Sequence, residues 1–261
     1  MMNSPIGWIG GKRALRQEII TRFPQDGVGR YIEVFFGAGW VFFGRKKLPG
    51  QLEVINDKDG EIVNLFRCIK YHARALEEEM RWVIPSRQIF FDSVAQLKSE
   101  GLTDIQRAAR FLCTLKLSFG SNRRSFATSA KSFQRTLNYL SKVQERLGDV
   151  TIENRDFGYI LKTYDRPDAL FYLDPPYLGT EKYYEGMFGW DDHLRLADNL
   201  KKSKGDLSFR ITMMTVSANY IVHGATSNLC SEEKPFLAAV RTKSLLRKSL
   251  LKTSKDKLLN S

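Results

Sequence analysis

The strongest constraint on the fold is an apolar run that ends in two consecutive prolines. Phe171-Tyr172-Leu173 leads directly into Asp174-Pro175-Pro176-Tyr177. A strand must end there, because proline has no N–H to donate and its ring fixes φ. Open α/β sheets bind ligands at the carboxyl ends of their strands. The corner is therefore predicted to offer the Asp174 carboxylate and the Pro175 carbonyl to an amino group, with the Tyr177 ring beside them. Taken alone, it is also compatible with a simple strand-ending turn.

Two further segments favour a nucleoside site. The buried strand that begins at Tyr31 ends in the turn Gly37-Ala38-Gly39, and glycine is needed where backbone approaches a ligand closely or takes a positive φ. A second strand, 52–55, ends at Asn56-Asp57. An acid at the end of the second strand binds a ribose diol in nucleoside-binding α/β folds. Each signal is weak by itself, and the combination with the proline corner is strong.

With these residues in place, the chain resembles the Dam-type (D12 class) site-specific adenine-N6 DNA methyltransferases from Pro5 to about Gly205. The resemblance includes the opening Trp8-Ile9-Gly10-Gly11-Lys12, the 33–39 turn, Asn56-Asp57 and Asp156-Phe157. These blocks occur in the family's order, with cofactor motifs first, a DNA-reading insert next and the catalytic corner last.

The resemblance implies a doubly wound, Rossmann-like α/β methyltransferase sheet with an inserted helical DNA-recognition subdomain. It also implies S-adenosylmethionine as cofactor, double-stranded DNA as partner and no metal. The implied catalytic residues are Asp174, Pro175, Pro176 and Tyr177. The implied cofactor-binding residues are Trp8, Lys12, Phe35, Gly37, Gly39, Asp57, Asp156, Phe157 and Asp174. Asp57 would bind the ribose hydroxyls, and Asp156 and Phe157 would flank the adenine.

The predicted organisation is a catalytic domain over 1–67 and 148–205, a helical recognition insert over 68–147 and a divergent basic tail over 206–261. Apolar periodicity predicts helices over 12–23, 59–80, 104–117 and 133–147, and a loop with a short helix over 84–101. The predicted DNA contacts are Lys116, Arg123, Arg124, Lys131 and Arg135. The alternative is that these side chains are solvated surface charges without a role in binding.

The net positive charge agrees with a polyanionic partner, although that charge is distributed unevenly along the chain. The 261 residues carry a net charge of +12, which favours nucleic acid. Much of the excess lies in residues 201–261, with 12 Lys and Arg against 4 Asp and Glu. The three cysteines and three histidines are scattered and form no metal set. No apolar run is long enough for a membrane span, and the start lacks a secretory signal pattern. A cytoplasmic monomer is expected.

The tail departs from the family pattern after Gly205. Back-translation from one nucleotide earlier permits Ser-Tyr-Asn-Asp-Asp-Asp-Cys-Ile-Arg-Glu-Leu-Tyr, which is similar to the missing family segment. We therefore hypothesise a one-nucleotide frameshift near codons 205–208, with a divergent tail in the intended frame as the alternative. Loss of the native end would leave an unpaired sheet edge beside the proline corner.

Three functions stay open at this point. The first is adenine-N6 methylation of DNA in a restriction-modification system or a phage. The second is transfer to another amino group, on RNA, cytosine N4 or protein glutamine. The third is a catalytically impaired remnant that binds cofactor or DNA.

Overall fold

A computed structural model describes residues 1–24, 26–127, 133–176, 188–202, 210–213 and 221–223. Its helices are α1 (Arg16–Thr21), α2 (Trp40–Gly44), α3 (Gly60–Arg81), α4 (Arg87–Gln96), α5 (Asp104–Leu117), α6 (Phe133–Leu147), α7 (Phe157–Tyr164) and α8 (Trp190–Lys202). Its strands are β1 (Arg30–Glu33), β2 (Leu52–Asn56), β3 (Thr151–Glu153), β4 (Ala169–Leu173), β5 (Arg210–Met213) and β6 (Ile221–His223).

The strands form one sheet in the order β3-β2-β1-β4-β5-β6. The pairs from β3 to β5 are parallel, and β6 is antiparallel to β5. The chain passes from β1 outward to β2 and β3, and then returns across the sheet to β4 on the other side of β1. This reversal is the topological switch point at which open α/β sheets form a ligand crevice. The predicted α/β class with a doubly wound sheet is confirmed.

Alternating strand residues divide the interior into two cores, one on each face of the sheet. Tyr31 and Ile55 belong to a large core built with α3, α5 and α6. Their neighbours Ile32 and Val54 belong to a smaller core built with α7 and α8. Successive strand side chains point to opposite faces, so continuous apolar strands are buried on both faces and helices cover both.

The helices predicted to form a recognition insert pack directly into the core that the sheet forms. Buried residues of α5 and α6 share one core with the strands, and α3 packs against both helices. α3 itself runs through the predicted boundary at residue 68 and departs from helical backbone at His72, with φ −136°. The division into a catalytic domain and an insert stays a prediction.

Most predicted elements are present. Helices over 104–117 and 133–147 are confirmed, as is the long helix predicted from residue 59. The helix predicted over 12–23 is shorter and spans only Arg16–Thr21. The chain before it, up to Lys12, lines the cavity described below instead of forming helix.

The predicted open edge beside β4 is wrong. β4 pairs with β5 in parallel, with Leu170 opposite Arg210 and Leu173 opposite Met213. The tail thus supplies the next strand of the sheet. The Lys/Arg/Ser/Leu pattern of residues 235–253 predicts a basic amphipathic helix, and this segment lies outside the described residues. The frameshift hypothesis stays a prediction, which the nucleotide sequence of the gene tests directly. Among the described helices, none has the length and apolar character that crossing a membrane requires.

Candidate active site

One cavity of about 230 Å³ lies at the carboxyl edge of the parallel strands. It is lined by the segments that follow β1, β2, β3 and β4, together with the chain opening around Trp8. All nine residues predicted to bind the cofactor line it: Trp8, Lys12, Phe35, Gly37, Gly39, Asp57, Asp156, Phe157 and Asp174. Pro175 and Pro176 line the same cavity. Tyr177 lies outside the described residues.

The proline corner is connected to the chain opening by an ion pair. Lys12 Nζ donates to Asp174 Oδ2 at 2.6 Å and to the Gly10 carbonyl at 3.0 Å. Lys12 is buried, and the Asp174 side chain is 16 % exposed. The ammonium therefore orients the Asp174 carboxylate at the cavity wall, immediately after β4. A charge-assisted hydrogen bond of this length is among the stronger polar contacts in proteins.

The acid after β2 is fixed by main-chain donors. Gly37 N–H donates to Asp57 Oδ2 at 2.7 Å, and Asp59 N–H donates to Oδ1 at 2.9 Å. Burial raises the pKa of the Asp57 carboxyl to about 6, against the lowering effect of these hydrogen bonds. Each oxygen still has a second lone pair. Asp57 is thus held rigidly in the turn between β2 and α3, with both carboxylate oxygens able to accept a further hydrogen bond.

A second acid, Glu33, was not predicted as a site residue although it precedes the glycine turn. It is buried at the end of β1, lines the cavity, and accepts a hydrogen bond from the Tyr31 hydroxyl at 2.8 Å. Burial raises the pKa of Glu33 to about 8, with the Asp174 charge adding to the rise. Its surroundings therefore favour the protonated form of the Glu33 carboxyl more than water does. A charged residue inside an otherwise apolar strand is the sequence signal that marks it.

The Asp156 end of the cavity is an aromatic and ionic cluster. Phe157 packs against Phe35 and Phe188, with ring centroids 5.9 and 5.6 Å away. Arg195 of α8 donates two hydrogen bonds to Asp156, at 3.0 and 2.8 Å. Arg195 also lines the cavity, and sequence reasoning missed it. Nothing in the local pattern of α8 indicates a partner 39 positions earlier.

The chain opening covers the glycine turn. A Cβ placed on Gly37 would come within 3.0 Å of Trp8 Cδ1, and Gly37 has φ +49°. The indole in turn lies under the Arg123 guanidinium, which is 5.2 Å from the Trp8 ring centroid. Arg123 Nη1 is 3.5 Å from Asp59 Oδ2. Trp8 thus packs tightly on the turn, and an arginine of the 118–126 loop covers it.

Comparisons with known proteins decide the family. The model of the D12 class N6 adenine-specific DNA methyltransferases matches residues 8–248, which is most of the chain. The chain belongs to this family. The match continues past Gly205 into the predicted divergent tail.

Three relatives each cover about three quarters of this D12-class methyltransferase. It is 27 % identical over 223 residues to the type II methyltransferase M1.LlaDCHI of Lactococcus lactis subsp. cremoris, with 76 % of each chain covered. It is 27 % identical over 215 residues to the type II methyltransferase M.CviBI of Paramecium bursaria Chlorella virus NC1A, covering 78 % of this chain and 80 % of that one. A third, the modification methylase StsI of Streptococcus sanguinis, is 24 % identical over 211 residues, covering 73 % of this chain and 31 % of its own. The predicted family and the predicted DNA-methylating activity are confirmed.

The residues predicted to bind DNA lie in different environments in this D12-class methyltransferase. Arg123 lies in the cavity wall against Trp8 and Asp59. Arg124 and Arg135 are exposed, and Lys116 is half-buried near the end of α5. Lys131 lies outside the described residues. In the described part of the chain, no group of acidic, histidine or cysteine side chains is suited to hold a metal ion.

Proposed function

We propose that the cavity binds S-adenosylmethionine and that the chain transfers its methyl group to N6 of an adenine extruded from duplex DNA. The observation that carries this proposal is the convergence of two sets of residues on one cavity. The nine predicted cofactor residues surround it, and the corner from Asp174 to Pro176 forms part of its wall. A cytoplasmic monomer acting on double-stranded DNA fits the proposal.

The hydrogen-bond acceptors and aromatic rings that line the cavity suit the parts of this cofactor. Asp57 offers two fixed carboxylate oxygens to a ribose diol. Asp156 and Phe157 offer a carboxylate and an aromatic ring to a purine. Gly37 carries no Cβ that would meet Trp8, so the indole packs on the glycine turn in the cavity wall. When bound, the cofactor supplies an activated sulfonium methyl group, and no metal is needed to activate it.

The proline corner supplies the chemistry on the acceptor side. The N6 lone pair of adenine is delocalised into the ring, and the nitrogen is therefore a poor nucleophile. We expect the Asp174 carboxylate and the Pro175 carbonyl to accept the two amino hydrogens. Those hydrogen bonds strengthen as the nitrogen becomes tetrahedral, so they stabilise the transition state more than the ground state. Accurate positioning of the two reacting groups supplies much of the remaining acceleration.

Access to N6 requires extrusion of the target base. In duplex DNA the amino group is held inside the base pair, and unstacking costs a few kcal/mol. Stacking on an aromatic side chain returns about 1–3 kcal/mol. We assign this stacking to Tyr177 by its place after the prolines. Lys116, Arg123, Arg124, Lys131 and Arg135 are proposed contacts to DNA phosphates or base edges.

Labelled methyl transfer distinguishes the three functions left open by the sequence. Purified protein is incubated with methyl-labelled S-adenosylmethionine and with duplex DNA, RNA or protein in parallel. We expect label in duplex DNA, recovered as N6-methyldeoxyadenosine after digestion. Label in cytosine, RNA or protein contradicts the proposal in favour of another amino-group substrate. Thermal stabilisation by the cofactor without any transfer indicates the impaired remnant.

A substitution at Gly37 tests whether the close packing of Trp8 on the glycine turn is needed for cofactor binding. Gly37→Ala is expected to weaken cofactor binding by about tenfold or more, since the new Cβ forces Trp8 or the turn out of place. Left-handed backbone at a non-glycine residue also costs about 1–3 kcal/mol. Gly50→Ala is the matched control, because Gly50 has φ +70° and no atom within 4 Å of the added Cβ. Calorimetric titration with the cofactor product should show unchanged affinity for Gly50→Ala; equal losses in both variants contradict this reading.

The pKa of Asp57 predicts a pH dependence of cofactor binding. Because burial raises this pKa to about 6, the carboxylate is ionised at pH 7.5 and becomes protonated as the pH falls through 6. A hydroxyl donates a stronger hydrogen bond to the charged form. Affinity should therefore be constant above about pH 7 and fall by up to about tenfold per pH unit below 6. Asp57→Asn should bind weakly with a flat profile, and a wild-type profile without this decline refutes the assignment.

A further inference from the structure

Arg195 joins α8 to the turn between β3 and α7. Its two terminal nitrogens each donate to one Asp156 oxygen, Nη1 to Oδ1 at 3.0 Å and Nη2 to Oδ2 at 2.8 Å. Its guanidinium carbon lies 4.3 Å from the centroid of the Phe157 ring. Arg195 Nη2 also reaches Asp192 Oδ1 of the same helix at 2.7 Å. One side chain thus fixes both residues that face a purine in the proposed cofactor pose.

The remaining contacts of Asp156 leave its orientation dependent on Arg195. Gly158 N–H donates to Asp156 Oδ1 at 2.9 Å, which is the capping hydrogen bond of α7. Without Arg195, the Gly158 N–H still holds Oδ1, but Oδ2 is left free to swing around it. The two parallel hydrogen bonds of the guanidinium define the carboxylate plane, and Oδ2 retains a second lone pair.

We propose that Arg195 is a positioning residue that makes the cofactor site selective for a 6-aminopurine. It holds the Asp156 carboxylate in a fixed orientation as acceptor for the exocyclic amino group, and it holds Phe157 beside the ring. A 6-oxopurine has no amino hydrogen to donate, and its oxygen faces a carboxylate that accepts only. The inference rests on the proposed function, since it assumes that the purine of S-adenosylmethionine lies at Asp156.

The test compares two ligands that differ only at this position of the purine. The dissociation constants of S-adenosylhomocysteine and S-inosylhomocysteine are measured by calorimetry on the full chain. A hydrogen bond to a charged group predicts a wild-type preference for the adenosyl ligand of about tenfold or more. Arg195→Ala should lose most of that preference through weaker adenosyl binding, while inosyl binding changes little. Arg195→Lys keeps a charge without the planar fork and should retain only part of the preference.

Two further variants separate positioning from general damage. Asp192→Asn removes the negative charge of the other partner of Arg195, keeps an acceptor oxygen and leaves the fork to Asp156 in place, so the ligand preference should persist. Arg166→Ala makes the same deletion at an exposed arginine that donates to the Asp165 carbonyl, and it should bind both ligands as wild type does.

The outcomes distinguish this inference from the function on which it rests. If wild-type protein binds neither ligand, the proposed cofactor site is wrong. If it binds the adenosyl ligand and Arg195→Ala keeps the full preference, the role of Arg195 is overturned and the cofactor site stands. Should Arg195→Ala not fold, the Arg195→Lys preference decides: full preference overturns the role, and a partial loss supports it.

Discussion

Asp174→Ala is expected to reduce methyl transfer to duplex DNA by about 10³-fold or more, the scale seen when a transition-state hydrogen-bonding group is removed. The reason lies in the geometry of the corner, where Asp174 follows β4 and lines the cavity beside Lys12. Cofactor affinity should change much less, since Asp57, Asp156 and Phe157 remain in place. Single-turnover transfer with labelled cofactor, alongside calorimetric binding, measures the two effects separately.

Two variants control this prediction. Asp174→Asn keeps the shape and one acceptor oxygen, so it should be impaired less than Asp174→Ala. Asp149→Ala removes an aspartate that is 84 % exposed and pairs with Lys47, so transfer should be unaffected. An Asp174→Ala enzyme with near-normal transfer would remove the proline corner from the mechanism.

Glu53→Ala is expected to destabilise the fold by about 3–5 kcal/mol, the usual effect of breaking a buried ion pair. The Glu53 side chain is 1 % exposed and lies between two buried guanidinium groups. Arg146 donates to both Glu53 oxygens, at 2.6 and 2.7 Å, and Arg45 donates at 3.0 Å. Removal of the carboxylate leaves two buried positive charges without their counter-ion. Urea denaturation of the wild type and the variant measures the difference.

The control is an acid at the surface. Glu18 of α1 pairs with Arg22, which follows that helix, and the two side chains are 52 % and 37 % exposed. Exposed pairs of this kind contribute about 0–1 kcal/mol, so Glu18→Ala should be nearly neutral. A Glu53→Ala loss no larger than that of Glu18→Ala would show that the ion cluster does not hold α6 against β2.

The helices that the sequence predicts correctly have capping residues and apolar spacing within their own segments. α5 begins after Thr103, which forms a capping box with Gln106, and its apolar spacing continues to Leu117. α1 shows the opposite case. Its apolar spacing predicts a helix from Lys12, but the helix begins at Arg16. Lys12 lies before it and donates to Asp174, a contact between residues 162 positions apart that no local pattern reveals.

The site divides in the same way. Motifs that depend on short-range geometry, such as the Gly37 turn and the acid after β2, could be assigned from the sequence. Arg195 could not, because its partner Asp156 is set by how α8 packs on the sheet. The ion pairs of Glu53, which does not line the cavity, escaped prediction for the same reason. Arg123 was predicted from its loop as a DNA contact, and that role stays a prediction. Positive φ values at Ser121 and Arg123 turn this loop back against Trp8.

The most direct measurement is adenine-methylation mapping of DNA from a host without adenine methyltransferases, with and without the expressed gene. The account predicts N6-methyladenine at every occurrence of one short sequence, only when the gene is expressed. The Asp174→Ala gene should give none. Folded, cofactor-binding protein that leaves the adenines unmodified, or that places the methyl group on cytosine N4, would contradict the account.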